Sequence, residues 1–474
     1  MKKKPGKNRE FAVITYSFLA VFLCLIGYFA YFQFVKSEDF INNPYNTRQD
    51  IFANQVVRGK ILSADGKVLA ETLTDSEGNE TRSYPYGRMF AHVVGYSTNG
   101  RTGIESMANF NLLRSNAFFL EKTADELQGE KSIGDNVTTT LNYDLQSVAY
   151  DALSMYDGAV VVLEPATGKI LAMVSKPDYD PNTIAADWDT LTAEGSGSSV
   201  LLNRATQGLY PPGSTFKIFT LLEYVHENSD YESYQFNCTG SFVKDEQSIR
   251  CYNSISHGLE TLKDSFANSC NASFASLGTT LDVDAFAKLC NSMLFNSELP
   301  TNFAYSESSF SLSADTATTG EIMQTSIGQG KTLVTPFHMA LVVSAIANDG
   351  VLMNPYVIDH TENYNGVTVK EFEPSVYGNL LSADDAALLQ DYMSAVVENG
   401  TGKKLISDNY DAYGKTGSAE FKDGSSSCHS WFVGYAHREG KEDIAVAVIV
   451  EDSGSGSEFA VPVARKLFDA YYGN

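Results

Sequence analysis

A serine and a lysine three positions apart, entered through two prolines and a glycine, form the stretch of this sequence best suited to chemistry. The stretch is YPPGSTFK, Tyr210 to Lys217. Pro211 and Pro212 each hold their predecessor out of helix, and Gly213 relaxes the turn. A helix opening at Ser214 brings residues i and i+3 onto one face, so Lys217 lies one turn above the Ser214 hydroxyl. A serine is a weak nucleophile without a base in hydrogen-bond reach. Lysine serves as that base only when neutral. Desolvation by Phe216, Ile218 and Phe219, or a second cation nearby, depresses its pKa. The unpaired N–H groups of a helix start can stabilise an oxyanion.

Ser-x-x-Lys alone is a loose pattern. It recurs at Ser241–Lys244, in a polar segment beside Cys238 with no Pro-Gly entry, and that copy reads as a decoy. Two further elements support the first copy. Ser269-Cys270-Asn271 lies in the helical stretch LKDSFANSCNASFASLG, and Lys415-Thr416-Gly417-Ser418 starts a C-terminal strand. Ser269 can relay a proton and Asn271 can hold a substrate amide. Gly417 lets a peptide lie along the strand and pair with it. Lys415, Thr416 and Ser418 offer a positive charge and hydroxyls to a carboxylate. A literal Ser407-Asp408-Asn409 also occurs, but it belongs to the turn feeding the Lys415 strand. The site needs a wall from a different, helical part of the fold.

Other chemistries find less support. Gly330-Lys331-Thr332 and Gly414-Lys415-Thr416 look like P-loop ends but lack the glycine five residues back. Of seven histidines, His257 and His429 can sit near a site, yet no G-x-S-x-G elbow accompanies them. No C-x-x-C or H-E-x-x-H occurs, so neither metal nor cofactor is expected. Cys238 and Cys251 bracket a short polar segment and either close it as a disulfide or remain two thiols.

The elements around these residues set the context. The chain has 474 residues, 43% hydrophobic and 19% charged, with a net charge of −24. Such an acidic body repels phosphate backbones, which argues against a nucleic-acid partner. Residues 11–35 are apolar except Thr15, Ser17 and Gln33, and basic residues precede them. That run is long enough to cross a hydrocarbon core of about 30 Å and too long for a secretory h-region. It reads as an uncleaved anchor, with residues 1–10 as a cytoplasmic tail and the body outside. A cleaved signal peptide is the alternative, and it too exports the body.

Residues 36–138 form a first region with a hairpin turn at Asp65-Gly66. From residue 139 the pattern changes. A helix at Tyr143–Tyr156 precedes a hairpin of AVVVLE and KILAMVS. Residues 178–203 are polar and read as a long surface loop. Helices are expected over 214–226, 262–277, 336–348 and 383–398, the last opened by Ser382 and Asp385 as a capping-box variant. YGKTGSAEF, SWFVGYA and DIAVAVIVE read as three strands, and 459–472 as a closing helix. The fold class is α+β, an α/β sandwich with helices packed on a sheet.

Assembled, these residues resemble the class B penicillin-binding proteins, monofunctional peptidoglycan D,D-transpeptidases. GAVVVLEPATGKILAMVSKPDYDPN, NRATQGLYPPGSTFK, SCNASF, TSIGQGKTLVTP and YGKTGSAE…SWFVGYA follow that family's order, and RGKILSADGKVLA and GRTGIE resemble motifs of its non-catalytic pedestal. The resemblance implies a transpeptidase domain over 139–474 with a helical subdomain, and a dimerisation-type pedestal over 36–138. It implies that Ser214 attacks the D-Ala-D-Ala carbonyl of a stem peptide and that Lys217 accepts its proton. Ser269 and Asn271 complete the second motif, and the N–H groups of Ser214 and Ser418 form the oxyanion hole. An amine of a neighbouring stem peptide resolves the acyl-enzyme, and penicillin and other β-lactams acylate Ser214 in the same way. Cys270 stands where the related pattern has Asp. The pedestal region is too short for a glycosyltransferase domain. The lipid-linked polymer is then expected from a separate membrane glycan polymerase of the shape and division family. Two rival readings are a hydrolase, either β-lactamase or D,D-carboxypeptidase, and a catalytically silent scaffold or sensor.

Overall fold

The computed structural model describes residues 8–32, 56–116, 131–420 and 428–473. Most of the expected cytoplasmic tail, the end of the expected anchor and Phe421 lie outside the described residues. The helix Asn8–Tyr31 contains a 21-residue apolar run, Phe11–Tyr31, of mean hydropathy 2.2, none of it covered by the rest of the protein. At about 1.5 Å per residue this run is a candidate membrane span.

Five strands make the central sheet. In spatial order they are Asp411–Glu420, Cys428–Arg438, Lys441–Val450, Gly158–Leu163 and Ile170–Lys176, each antiparallel to its neighbour. Alternation sends Val160, Val162, Val446 and Val448 to one face, under the helices Tyr143–Leu153 and Ala460–Tyr472. It sends Ala159, Val161, Ala447 and Ile449 to the other, into the larger core that includes helix Pro336–Ala347. Both faces are covered, which is why the strands read as unbroken apolar runs. Helix Pro336–Ala347 is apolar all round because its residues up to Ile346 are all buried. Thr335 caps it by accepting from the His338 N–H, with Pro336 at the first helical position.

Three expectations change. The stretch expected as one helix over 262–277 is two, Leu262–Ala267 and Asn271–Gly278, broken at Asn268–Cys270. The expected loop at 178–203 contains the helix Ile184–Thr192. Its Ile184, Trp188 and Leu191 recur at helical spacing and cluster with Tyr96 and Tyr179. At Ser382 only half of a capping box forms: the side chain accepts from the Asp385 N–H and donates to the Asp385 carboxylate.

The sheet begun in the first region is also not confined to it. Its order is Thr368–Glu371, Ile358–Glu362, Asn136–Thr139, Ile61–Leu62, Val68–Thr74, Glu80–Ser83. Two strands therefore return to it from more than 200 residues downstream. The segments RGKILSADGKVLA and GRTGIE of that region meet in a buried ion cluster. Arg58 Nε and Arg82 Nε donate to opposite oxygens of Glu105 at 2.6 and 2.7 Å, and Glu105 is fully buried.

Candidate active site

The prolines and glycine before Ser214 seat a turn against the edge of the central sheet. Tyr210 exchanges two backbone bonds with Val334, and the Gly213 N–H donates to the Gly328 carbonyl at 2.9 Å. The Trp431 indole N–H donates to the Pro211 carbonyl at 3.0 Å. Tyr210 stands edge-on to Trp431 and donates its hydroxyl to Glu451, which also pairs with Arg204. Gly213 has φ +54°, and a Cβ there would lie 3.0 Å from the Ser418 carbonyl oxygen. Only glycine allows this handedness and this approach without strain. Gly417 is as close from the other side: its Cβ would meet the Pro212 carbonyl at 3.1 Å. The turn carrying Ser214 and the Lys-Thr-Gly strand are thus in contact.

Ser214 sits in the 3-10 turn Gly213–Phe216, and the α-helix proper begins at Lys217. Ser269 occupies the break between its two helices with φ +58°. Beyond the break, Cys270 caps Asn271–Gly278. Ser214, Ser269, Asn271, Thr416, Gly417 and Ser418 line one groove of about 1350 Å³. The three segments singled out in the sequence therefore converge. Strand 411–420 is an edge strand, so a peptide can pair along it.

Lys217 and Lys415 lie beneath the groove, both fully buried. The Lys217 ammonium donates to the Ser269 carbonyl at 2.7 Å, the Asn271 Oδ1 at 2.8 Å and the Ser269 hydroxyl at 3.3 Å. It is aimed at the second motif: among the described residues it makes no hydrogen bond to Ser214. Lys415 donates to the same Ser269 hydroxyl at 2.9 Å. Aromatic rings back both ammoniums, Phe274 at 5.3 Å from Lys217 and Phe266 at 5.4 Å from Lys415. Burial pushes the Lys217 pKa down to about 8. Burial, and then the charge of Lys217, push that of Lys415 well down. Two ammoniums on one hydroxyl cannot both stay charged, so the pair sheds a proton readily.

Several supporting residues were not singled out in the sequence. The Thr401 and Thr416 hydroxyls are 2.5 Å apart, and the Gly456 N–H donates to Ser418 Oγ at 3.2 Å. Trp431 is one of only two tryptophans, and that scarcity was the available signal. The decoys fall away. Ser241–Lys244 is a strand, which turns positions i and i+3 to opposite faces. Ser407-Asp408-Asn409 is outside the groove lining, with Asp408 and Asn409 exposed. His257 lines the groove; His429 instead stands edge-on to Tyr210. Cys238 and Cys251 are buried thiols with sulfurs 3.6 Å apart.

A sheet covered on both faces, with a serine turn and a Lys-Thr-Gly edge strand meeting in a groove, defines a penicillin-interacting transpeptidase domain. The family model "Penicillin binding protein transpeptidase domain" matches residues 158–469, and "Penicillin binding protein A dimerisation domain" matches residues 58–137. The chain belongs to the class B penicillin-binding proteins. Peptidoglycan D,D-transpeptidase PbpA of Mycolicibacterium smegmatis is 32% identical over 90% of this chain and 91% of the relative. The D,D-transpeptidase domain structure of a peptidoglycan glycosyltransferase from Eggerthella lenta is similar with TM-score 0.78. It is 32% identical and covers 88% of this chain and 98% of that one. The imipenem acyl-enzyme complex of penicillin-binding protein A from M. tuberculosis is similar with TM-score 0.78 at 28% identity, covering 88% and 99%.

Proposed function

We propose that this chain is a peptidoglycan D,D-transpeptidase in which Ser214 carries the acyl group. The observation that carries the assignment is the shared Ser269 hydroxyl. Two buried lysines from separate motifs meet on it, directly behind the groove that Ser214 lines. Ser214 Oγ attacks the penultimate D-Ala carbonyl, the Lys217–Ser269–Lys415 group takes its proton and passes it to the leaving nitrogen, and the C–N bond breaks so that D-Ala departs as the amine. The N–H groups of Ser214 and Ser418 take the oxyanion. Asn271 orients the donor's amide, and Thr416 and Ser418 face its carboxylate. A carboxylate arriving near Lys415 raises that lysine's pKa, which drives the shared proton off Lys217 and makes it the base. The second substrate amine then attacks the ester, and the chain is regenerated. β-Lactams enter as carboxylate-bearing acyl donors, as in the imipenem acyl-enzyme of the M. tuberculosis relative.

In this reading residues 1–10 are cytoplasmic, 11–35 are the anchor, and 36–138 are the pedestal, completed by strands from 358–371. Residues 139–474 are the transpeptidase domain on the outer side. A separate membrane glycan polymerase supplies lipid-linked polymer. The test is exposure of the full chain to a fluorescent penicillin, followed by peptide mass spectrometry. One acyl unit on the peptide containing Ser214, absent in Ser214→Ala, is the expected result. An adduct elsewhere, or one surviving in Ser214→Ala, overturns the assignment. Turnover of the adduct within seconds would make the chain a hydrolase instead.

A further inference from the structure

In the second wall of the groove, where Cys251 and His257 reach its lining, are three thiols and an imidazole for which acyl transfer has no use. The Cys238 sulfur is 3.6 Å from that of Cys251 and 3.4 Å from His257 Nδ1, and the Cys251 sulfur is 3.8 Å from that of Cys270. All four ligand atoms lie within 4.8 Å of one another. A tetrahedral zinc ion with Zn–S of about 2.3 Å and Zn–N of about 2.05 Å separates its sulfurs by about 3.8 Å and a sulfur from a nitrogen by about 3.6 Å. Three of the six spacings fall close to those edges, and the remaining pairs lie within 4.8 Å.

We infer that Cys238, Cys251, His257 and Cys270 form a structural zinc site. The four come from four separate places: the end of strand Gln235–Cys238, the start of the 3-10 turn Tyr252–Ser254, the residue before strand Gly258–Thr261, and the cap of helix Asn271–Gly278. Pairing of the two strands, with Cys238 opposite Gly258, brings Cys238 to His257, and the Cys251 N–H donating to the Gly240 carbonyl at 2.9 Å brings in Cys251. The three cysteines are buried, with Phe236 and Phe242 packed against them. Backbone N–H groups point at each sulfur, from Gly240 to Cys238, Ala272 to Cys251 and Ser273 to Cys270, at 3.4 to 3.5 Å. Such outer hydrogen bonds orient and stabilise thiolate ligands. Three sulfurs and one nitrogen fill a tetrahedron and suit zinc over magnesium or calcium. The set leaves no open position for a reacting water, so the role is structural. On the outer side of a membrane, thiols left neither bridged nor metal-bound oxidise, and an odd number cannot all pair.

The site also has a consequence for the groove, and this part rests on the function proposed above. Cys270 lies between Ser269 and Asn271, the two residues that hold Lys217. Ser269 has left-handed backbone, which a serine resists. A metal bound to Cys270 pins that break, so the zinc positions Ser269 and Asn271 without touching substrate. No short motif signals the site, because its ligands are 13, 6 and 13 residues apart, with no C-x-x-C pair.

The test is elemental analysis of the full chain purified in detergent without added chelator. About one zinc per chain is expected, lost in Cys238→Ser and in His257→Gln. The second variant keeps every buried cysteine and guards against misfolding. Cobalt exchanged into the wild-type chain should show thiolate-to-cobalt charge transfer in the near ultraviolet. A zinc-free wild-type chain that takes up no cobalt overturns the site. So does full zinc in both variants, or a Cys238–Cys251 disulfide in non-reduced peptides. Stripping zinc with a chelator should slow penicillin acylation about tenfold, with recovery on zinc return. Unchanged acylation in the stripped chain overturns the positioning role alone. Ser214→Ala should keep its zinc while failing to acylate, which separates this inference from the assignment of the nucleophile.

Discussion

Lys217 and Lys415, 198 positions apart in the sequence, donate to the same oxygen. The Ser269 hydroxyl takes the first at 3.3 Å and the second at 2.9 Å. Both amines are fully buried, and no carboxylate forms an ion pair with either among the described residues. This sets the protonation chemistry of the groove more than any single motif does. The hydroxyl either accepts from both amines and gives its own proton elsewhere, or donates that proton to whichever amine is neutral.

The pH dependence of acylation follows from this pair. Burial lowers the Lys217 pKa to about 8, so the competent neutral form grows as pH rises. The second-order rate of penicillin acylation should climb by about tenfold per unit below that value and level off above it. Stopped-flow fluorescence across pH 6 to 10 measures it. The sign for stability is the same. The unfolded lysine, near 10.5, binds more protons than the folded one between about 8 and 10.5, so this group makes folding more favourable as pH rises through that window. A rate that is flat from pH 6 to 10 removes Lys217 as the base.

Asn271 tests the same proton from the side. Its Oδ1 accepts from Lys217 at 2.8 Å while its amide donates to the Arg250 carbonyl at 3.0 Å. Asn271→Asp places a carboxylate on the ammonium and raises its pKa. The rising limb of the acylation profile should move to higher pH, with a drop at pH 7 of roughly 10- to 100-fold. A uniform loss with an unshifted limb would show that Asn271 acts on substrate only.

Gly213 tests how the turn is seated. Alanine there must take a left-handed backbone, which costs about 1–2 kcal/mol, and its methyl presses on the Ser418 carbonyl. Gly213→Ala should fold with a lowered Tm and acylate at least about tenfold more slowly, because Ser214 and Ser418 separate. Thermal melts with and without penicillin, beside the acylation rate, read both effects.

Some of this site is visible in the sequence and some is not, for physical reasons. Ser214 with Lys217, and Lys415 through Ser418, are each contained in one turn or one strand, so local spacing exposes them. The break at Ser269 is not local: the stretch around it has continuous helical periodicity, and the lysines that meet there come from distant parts of the chain. The aim of Lys217 at Asn271 depends on that break. Strands 358–362 and 368–371 give no sign that they complete a sheet begun at residue 61, because edge pairing is chosen by geometry across the whole fold. Trp431 is legible as an apolar strand residue, while its bond to Pro211 depends on two elements 220 positions apart.

The pedestal offers a prediction independent of the groove. Glu105 is fully buried between Arg58 and Arg82 and also accepts from the Tyr84 hydroxyl. Burial alone would raise its pKa, but the two guanidiniums prevail and hold it below the usual carboxylate range. Its contribution is therefore present at neutral pH and lost as pH falls through that lowered value. Glu105→Gln leaves two buried cations without a counter-charge, which costs about 3–5 kcal/mol. Strands Ile358–Glu362 and Thr368–Glu371 tie this sheet to the transpeptidase domain. The loss should therefore lower the first thermal transition of the full chain, while acylation of Ser214 below that temperature stays near wild type. Double substitution of Glu105 with Gln and Arg58 with Met should recover part of the loss, since it removes one of the stranded charges. If Glu105→Gln melts like the wild type, the cluster does not hold the pedestal together.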